Sequence, residues 1–238
     1  LLLNKDYIRC RPTASIVGTI GNTGGLQATE HRVDSLHLDQ LFMPDLLAHV
    51  VDLDHIELKK NTKILGILRY NVFKDFELFI DFPNSHLRLS KVDKIGIRLD
   101  KTMPWEKPVD SLSFEMKKHF IVVKSVVNSI TLEMILDSGA ELNLIDRRVN
   151  KKVLSQFTII KRVNLIGAGK KQIEVLAGVL KNMKCGNQAS AEMNTLLTSM
   201  DEINASFAIN VDGVLGYEFL NIRRTLINYK KKKLYFFS

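Results

Sequence analysis

The chain can be laid over itself. Gly66-Ile67-Leu68-Arg69-Tyr70 falls on Gly213-Val214-Leu215-Gly216-Tyr217 at an offset of 147, and the same offset sets Phe79-Ile80-Asp81-Phe82 on Leu226-Ile227-Asn228-Tyr229 and Leu87 on Leu234. Ile20-Gly21 matches Ile166-Gly167 at an offset of 146, and Leu1 to Ile8 matches Leu142 to Val149 at 141. Self-similarity at a fixed spacing means one supersecondary unit built twice. With 238 residues, 45% of them apolar, the chain can bury two small cores, since domains of roughly 100 residues are ordinary.

The unit being repeated is made of short strands. Phe120 to Val127 and Ile130 to Leu136 are rich in β-branched and aromatic residues, and the polar Asn128-Ser129 between them predicts a hairpin. Arg32 to Leu38 alternates, Leu46 to Leu53 is a mostly apolar run, and Asp54 to Lys60 has the Asp start and charge content of a short helix. Ile173 to Leu180, Ala191 to Leu197 and Met200 to Asn204 mirror these in the second copy. The expected fold is all-β in two pseudo-symmetric lobes, residues 1–92 and 118–238. The stretch 93–117 is the expected linker, because Pro104 and Pro108 preclude a regular helix there, and the lone Trp105 is expected to pack it against a lobe.

Ile135-Leu136-Asp137-Ser138-Gly139-Ala140 places a carboxylate, a hydroxyl and a glycine at the end of an apolar strand. Some seventy residues on comes Asp212-Gly213-Val214-Leu215-Gly216-Tyr217. Together they resemble the two signatures of retropepsin-like (pepsin/retropepsin-type) aspartic peptidases of the tandem-repeat bacterial type, Asp-Ser/Thr-Gly-Ala and then two apolar residues with a glycine. The resemblance implies a β-barrel lobe, peptide-bond hydrolysis and no metal or organic cofactor. It implies that Asp137 is one catalytic carboxylate, that the Ser138 hydroxyl hydrogen-bonds beneath a carboxylate pair, and that Gly139 permits the tight turn. Two carboxylates about 3 Å apart cannot both ionise, so one holds a proton while the other acts as base toward water. At the 141 offset the counterpart of Asp137 falls at position −4, five residues before Leu1, so the first lobe is expected to begin downstream of its own Asp motif.

The resemblance also implies a hairpin flap over the substrate. Ile166-Gly167-Ala168-Gly169, between the strand-like Phe157 to Val163 and Ile173 to Val179, has the look of a flap tip, and its counterpart is Ile20-Gly21. A flap and a plain hairpin turn both suit these residues. A phosphate cradle does not, because a helix must follow the glycines and Gln172-Ile173-Glu174-Val175 alternates like a strand.

Charge is divided unevenly. Residues 139–238 hold 16 Lys+Arg against 8 Asp+Glu, so the whole net charge of +8 lies in the second half. Much of it is Lys230 to Lys233, which reads as the solvated turn of the last hairpin. Nucleic acid is not an expected partner, since the aromatics fall at alternating strand positions that suit a core rather than a stacking platform. A peptide or protein substrate is. The two cysteines, Cys10 and Cys185, are too few for a zinc site or a disulfide scaffold, and the histidine spacings match no ligand motif, so no metal is expected. No apolar run approaches the roughly 20 residues a membrane helix needs, so no membrane insertion is expected. Extracytoplasmic residence, periplasmic or secreted, is the expected location for a peptidase of this composition.

Three functions suit these features. One is an aspartic endopeptidase formed as a pseudo-dimer within one chain. Another is an inactive relative that binds extended peptides by strand addition. The third is a peptidase completed by homodimerisation of the second copy, which brings two Asp137 residues together. Arg69 stands where Gly216 lies in the second copy. Aimed at a carboxylate pair it would favour both being charged and oppose the shared proton; turned outward it has no such effect.

Overall fold

The computed structural model describes residues 1–8, 14–20, 26–39, 41–101, 106–166, 172–189 and 192–238. The chain divides into two compact units, Leu1–Val72 with Leu165–Ile173, and Phe73–Asn164 with Glu174–Ser238.

In the first unit, β1 (Leu2–Asn4), β2 (Ala14–Ile20), β3 (Leu26–Leu38), β4 (Leu41–Val51) and β5 (Gly66–Ile67) form a sheet in the order β2-β3-β4-β1-β5. The β3–β4 ladder runs from Thr29 opposite Val50 to Leu38 opposite Leu41, and β1 lies parallel to β4 and antiparallel to β5. Helix α1 (Asp54–Lys60) has Asp54 and Glu57 in its first turn and Lys59 and Lys60 in its last, the arrangement that the helix dipole favours. It stops at Asn61, in the left-handed region at φ 48°, as asparagine allows. Leu2, Ala28, Val51 and Leu53 form the core beneath it, with Ile56 and Ile64 packed on them. Helix α2 (Tyr70–Phe73) follows.

The second unit holds most of a fourteen-stranded sheet. Its strands are β6 (Phe76–Asp81), β7 (His86–Lys91), β8 (Asp110–Lys117), β9 (Phe120–Val127), β10 (Ile130–Leu136), β11 (Asn143–Asp146), β12 (Phe157–Ile166), β13 (Gln172–Leu180), β14 (Met183–Cys185), β15 (Gln188–Ala189), β16 (Met193–Thr198), β17 (Gly213–Leu215), β18 (Arg224–Asn228) and β19 (Lys233–Phe237). The order is β12-β13-β16-β11-β17-β10-β9-β8-β19-β18-β6-β7, with β14 on β9 and β15 on β14. Three short helices, α3 (Lys151–Leu154), α4 (Asp201–Phe207) and α5 (Tyr217–Leu220), punctuate it. The β9–β10 turn has Asn128 at φ 47° and Ser129 at φ 66°, the doubly left-handed turn whose twist matches a two-residue hairpin. Val123, Val127, Met134 and Leu215, each 1% exposed or less, anchor the sheet's core.

The expected first lobe, residues 1–92, spans both units: β6 and β7 belong to the second. The expected linker, residues 93–117, ends in a strand, because β8 pairs with both β9 and β19. Trp105 lies outside the described residues.

Topology recurs where the sequence does. Leu3 sits opposite Val50 and Gly66 as Ile145 sits opposite Leu197 and Gly213, so the register equates β1 with β11 at an offset of 142, one more than the sequence overlay gives. The Asn4 N–H donates to Leu65 O at 2.9 Å and the Asp146 N–H to Asp212 O at 2.7 Å, the same bond in both copies. Helices α1 and α4 span the same seven positions at offset 147 and end alike, at Asn61 with φ 48° and Ala208 with φ 49°.

Candidate active site

Strand β17 lies between β10, to which it is parallel, and β11, to which it is antiparallel. The chain leaving β10 therefore has to cross the end of β17 before it returns as β11, and Asp137 to Leu142 make that crossing. Apolar side chains at Ile135 and Val214 hold the strands down from below, in a cluster with Val122, Met200 and Val211. Asp137, Ser138 and Gly139 are left exposed at the strand end.

Backbone bonds fix the loop to the β17 turn. The Asp137 N–H donates to Leu215 O at 2.9 Å, and the Tyr217 N–H donates to Ala140 O at 2.7 Å. Within the loop, Asp137 Oδ1 accepts the Gly139 N–H at 2.9 Å and the Asp137 carbonyl accepts the Ala140 N–H at 3.2 Å. The loop is thus curled around its own carboxylate, which points one oxygen inward and leaves the other available. Gly139 does not need a positive φ; a Cβ there would lie 3.2 Å from Asp137 Oδ1.

Close approach explains the second glycine. A Cβ on Gly216 would lie 2.4 Å from Ala140 O and 2.8 Å from Leu142 O, so only glycine lets the turn pass beneath the Asp loop. Asn143, fully buried, turns its amide back to the same residue: its Oδ1 accepts the Gly216 N–H at 2.9 Å. Asp212, the acid of the second motif, lies just before β17 and is bonded to β10 at Glu133, four residues before Asp137: its Oδ2 accepts the Glu133 N–H at 2.8 Å and its own N–H donates to Glu133 O at 2.8 Å.

Asp146 is the acid that sequence reasoning missed. Only 5% exposed, it accepts hydrogen bonds from the Arg148 side chain and backbone and, at 3.0 Å, from the Met200 N–H. The Arg148 guanidinium, helped by these N–H groups against the penalty of burial, holds its carboxyl down to about 2. Arg148 also pairs with Asp201, so β11 is tied to the start of α4. This is support for the site, not chemistry.

Of the flap residues, Ile166 ends β12 and Ile20 ends β2. Gly21, Gly167, Ala168 and Gly169 lie outside the described residues. Arg69 lies in the first unit, where its carbonyl accepts the Val72 N–H at 2.8 Å. Cys185 is a free, buried thiol, and Cys10 lies outside the described residues. Among the described residues no group of three or more His, Cys, Asp or Glu side chains is arranged to hold a metal ion, and no helix is long and apolar enough to cross a membrane.

The Aspartyl protease family profile matches residues 123–219, from the middle of β9 through α5. Among solved structures, a retropepsin-like aspartic protease from Rickettsia conorii is similar, at 11% identity and a TM-score of 0.36, with 57% of this chain and 95% of that one covered. A search of curated proteins gave no match. The segment matched by the Aspartyl protease profile holds both Asp137 and the Gly213–Gly216 turn on which its loop is seated.

Proposed function

We propose that this chain is an aspartic endopeptidase in which Asp137 is one member of a carboxylate pair that activates water against a peptide carbonyl. The observation that carries the reading is the Asp137 loop itself. Its backbone is pinned to Leu215 and Tyr217 while its carboxylate stays exposed, which is what a general base needs: fixed geometry and access to a proton. The matched family supports the reaction class.

The β6–β18 ladder favours a partner carboxylate from the same chain. Homodimerisation through β18 would require its edge to be open, and β19 and β6 already flank it. Asp137→Asn in the full-length protein should lower turnover of a peptide library on the order of 10³-fold without changing the melting temperature, since an amide cannot serve as the base. A variant that cleaves at the wild-type rate removes Asp137 from the mechanism.

Arg69, where the second copy has Gly216, favours one other reading, a peptide-binding relative without turnover. That reading requires a wild-type protein that binds extended peptides, measured by fluorescence anisotropy, yet leaves them uncut across the acidic range.

A further inference from the structure

We infer that Asn143 is a positioning residue that holds the Asp137 loop in register by clamping Gly216; the inference rests on the peptidase reading. Asn143 opens β11 and is fully buried. Its Oδ1 takes the Gly216 N–H at 2.9 Å, while among the described residues its Nδ2 finds only the Met193 sulfur at 3.4 Å. A thioether is a weak acceptor, and a buried amide so poorly matched on one side is costly. A leucine would fill the same space without that cost, so the one good bond that Asn143 makes has to account for it.

That bond completes a clasp. Gly216 is pressed from one side by the Ala140 and Leu142 carbonyls, which leave no room for a Cβ. Its neighbours are bonded into the Asp loop, Leu215 through the Asp137 N–H and Tyr217 through Ala140 O. Only the Gly216 N–H has no backbone acceptor within this turn, and Asn143 supplies one. Freed of it, the turn can rotate about Gly216, and the Leu215 carbonyl that fixes the Asp137 N–H moves with it.

The first copy shows the clasp removed as a pair. By strand register the counterpart of Asn143 is Leu1, and the counterpart of Gly216 is Arg69. The apolar residue that would be cheaper at the Asn143 position is present there, together with a side chain that could not pass under the Asp loop as Gly216 does. Both partners are present in the second copy, beside Asp137, and both are replaced in the first, so the ladders that the two copies share form without the clasp.

The test is Asn143→Leu in the full chain, read three ways. Gly216 amide hydrogen exchange should accelerate at least tenfold with far-ultraviolet circular dichroism unchanged. The value of kcat should fall about 10²-fold, the scale of a misplaced catalytic group, with KM within twofold. Asn143→Asp, which keeps an acceptor in the same place, should restore Gly216 protection and most of kcat. Should the leucine variant not fold, Asn143→Ala removes the amide without adding bulk and gives the same readouts. With wild-type turnover present, a variant that keeps both kcat and Gly216 protection, or loses kcat only in proportion to its unfolded fraction, overturns the clamp alone. A wild-type protein without turnover overturns the peptidase reading and this inference with it.

Discussion

Phe79 faces Leu226 across the antiparallel ladder of β6 and β18, and the two residues are each other's counterpart at the 147 offset. A residue can meet its own counterpart in an antiparallel ladder only on a local two-fold axis, so the hairpins β6–β7 and β18–β19 pair as the two halves of a homodimer would. Here both belong to one chain and to one compact unit.

With both edges of β18 filled, the protein should be monomeric at about 10 μM by light scattering. Leu226→Ala should destabilise it by about 2–4 kcal/mol, because a leucine 1% exposed leaves a cavity when truncated. A stable wild-type dimer would show that another edge serves for association.

Asp146 sets an acid limit. Its carboxyl is depressed from 3.8 to about 2 in the fold, so its contribution is complete above the unfolded value and is lost as pH falls from about 4 through 2. Asp146→Asn should remove about 1–2 kcal/mol at pH 7 and flatten the stability profile in that window, a modest figure because Arg148 is half exposed. Parallel urea-denaturation profiles for the two proteins from pH 7 to pH 2 would deny Asp146 this role.

Cys185 should be inert in the native state. It is fully buried and burial pushes its thiol up to about 11, so almost none is thiolate at pH 8. Mass spectrometry after iodoacetamide treatment should find the Cys185 peptide unmodified until denaturant is added. Equal labelling rates before and after unfolding would contradict the burial.

Ser129 occupies the left-handed region at φ 66° and is exposed. Ser129→Gly should relieve its strain and raise stability by up to about 1 kcal/mol, roughly 2–4 °C in melting temperature for a chain of this size. A lower melting temperature would mean that the freedom gained by the unfolded chain outweighs the relief.

The hairpin that delivers Asp137 was legible to the residue, β9 and β10 ending where the turn dipeptide places them, because β-branching and the turn are local signals. Helix α1 was legible for the same reason. The extent of the linker was not. Asp110 to Lys117 alternates as a half-buried strand should, yet the prolines just before it extend the linker reading across it. The assignment of β6 and β7 to the second unit depends on a partner strand some 150 residues away, which no local pattern carries. Asp146 has the look of a surface turn in sequence, and its burial comes from the Met200 end of α4. Asn143 did leave a trace, a polar residue inside Leu142-Asn143-Leu144-Ile145, but its bond partner lies 73 residues on.

The β6–β18 ladder also sets a schedule for synthesis. At about 5–20 residues per second, Phe79 leaves the ribosome roughly 7–30 s before Leu226 exists to pair with it. During that interval β6 has only β7 beside it, and contacts of such long sequence separation form late and slowly. The nascent first half therefore carries an unfinished apolar strand edge until the last hairpin arrives, and a chaperone that shields such edges is most needed then.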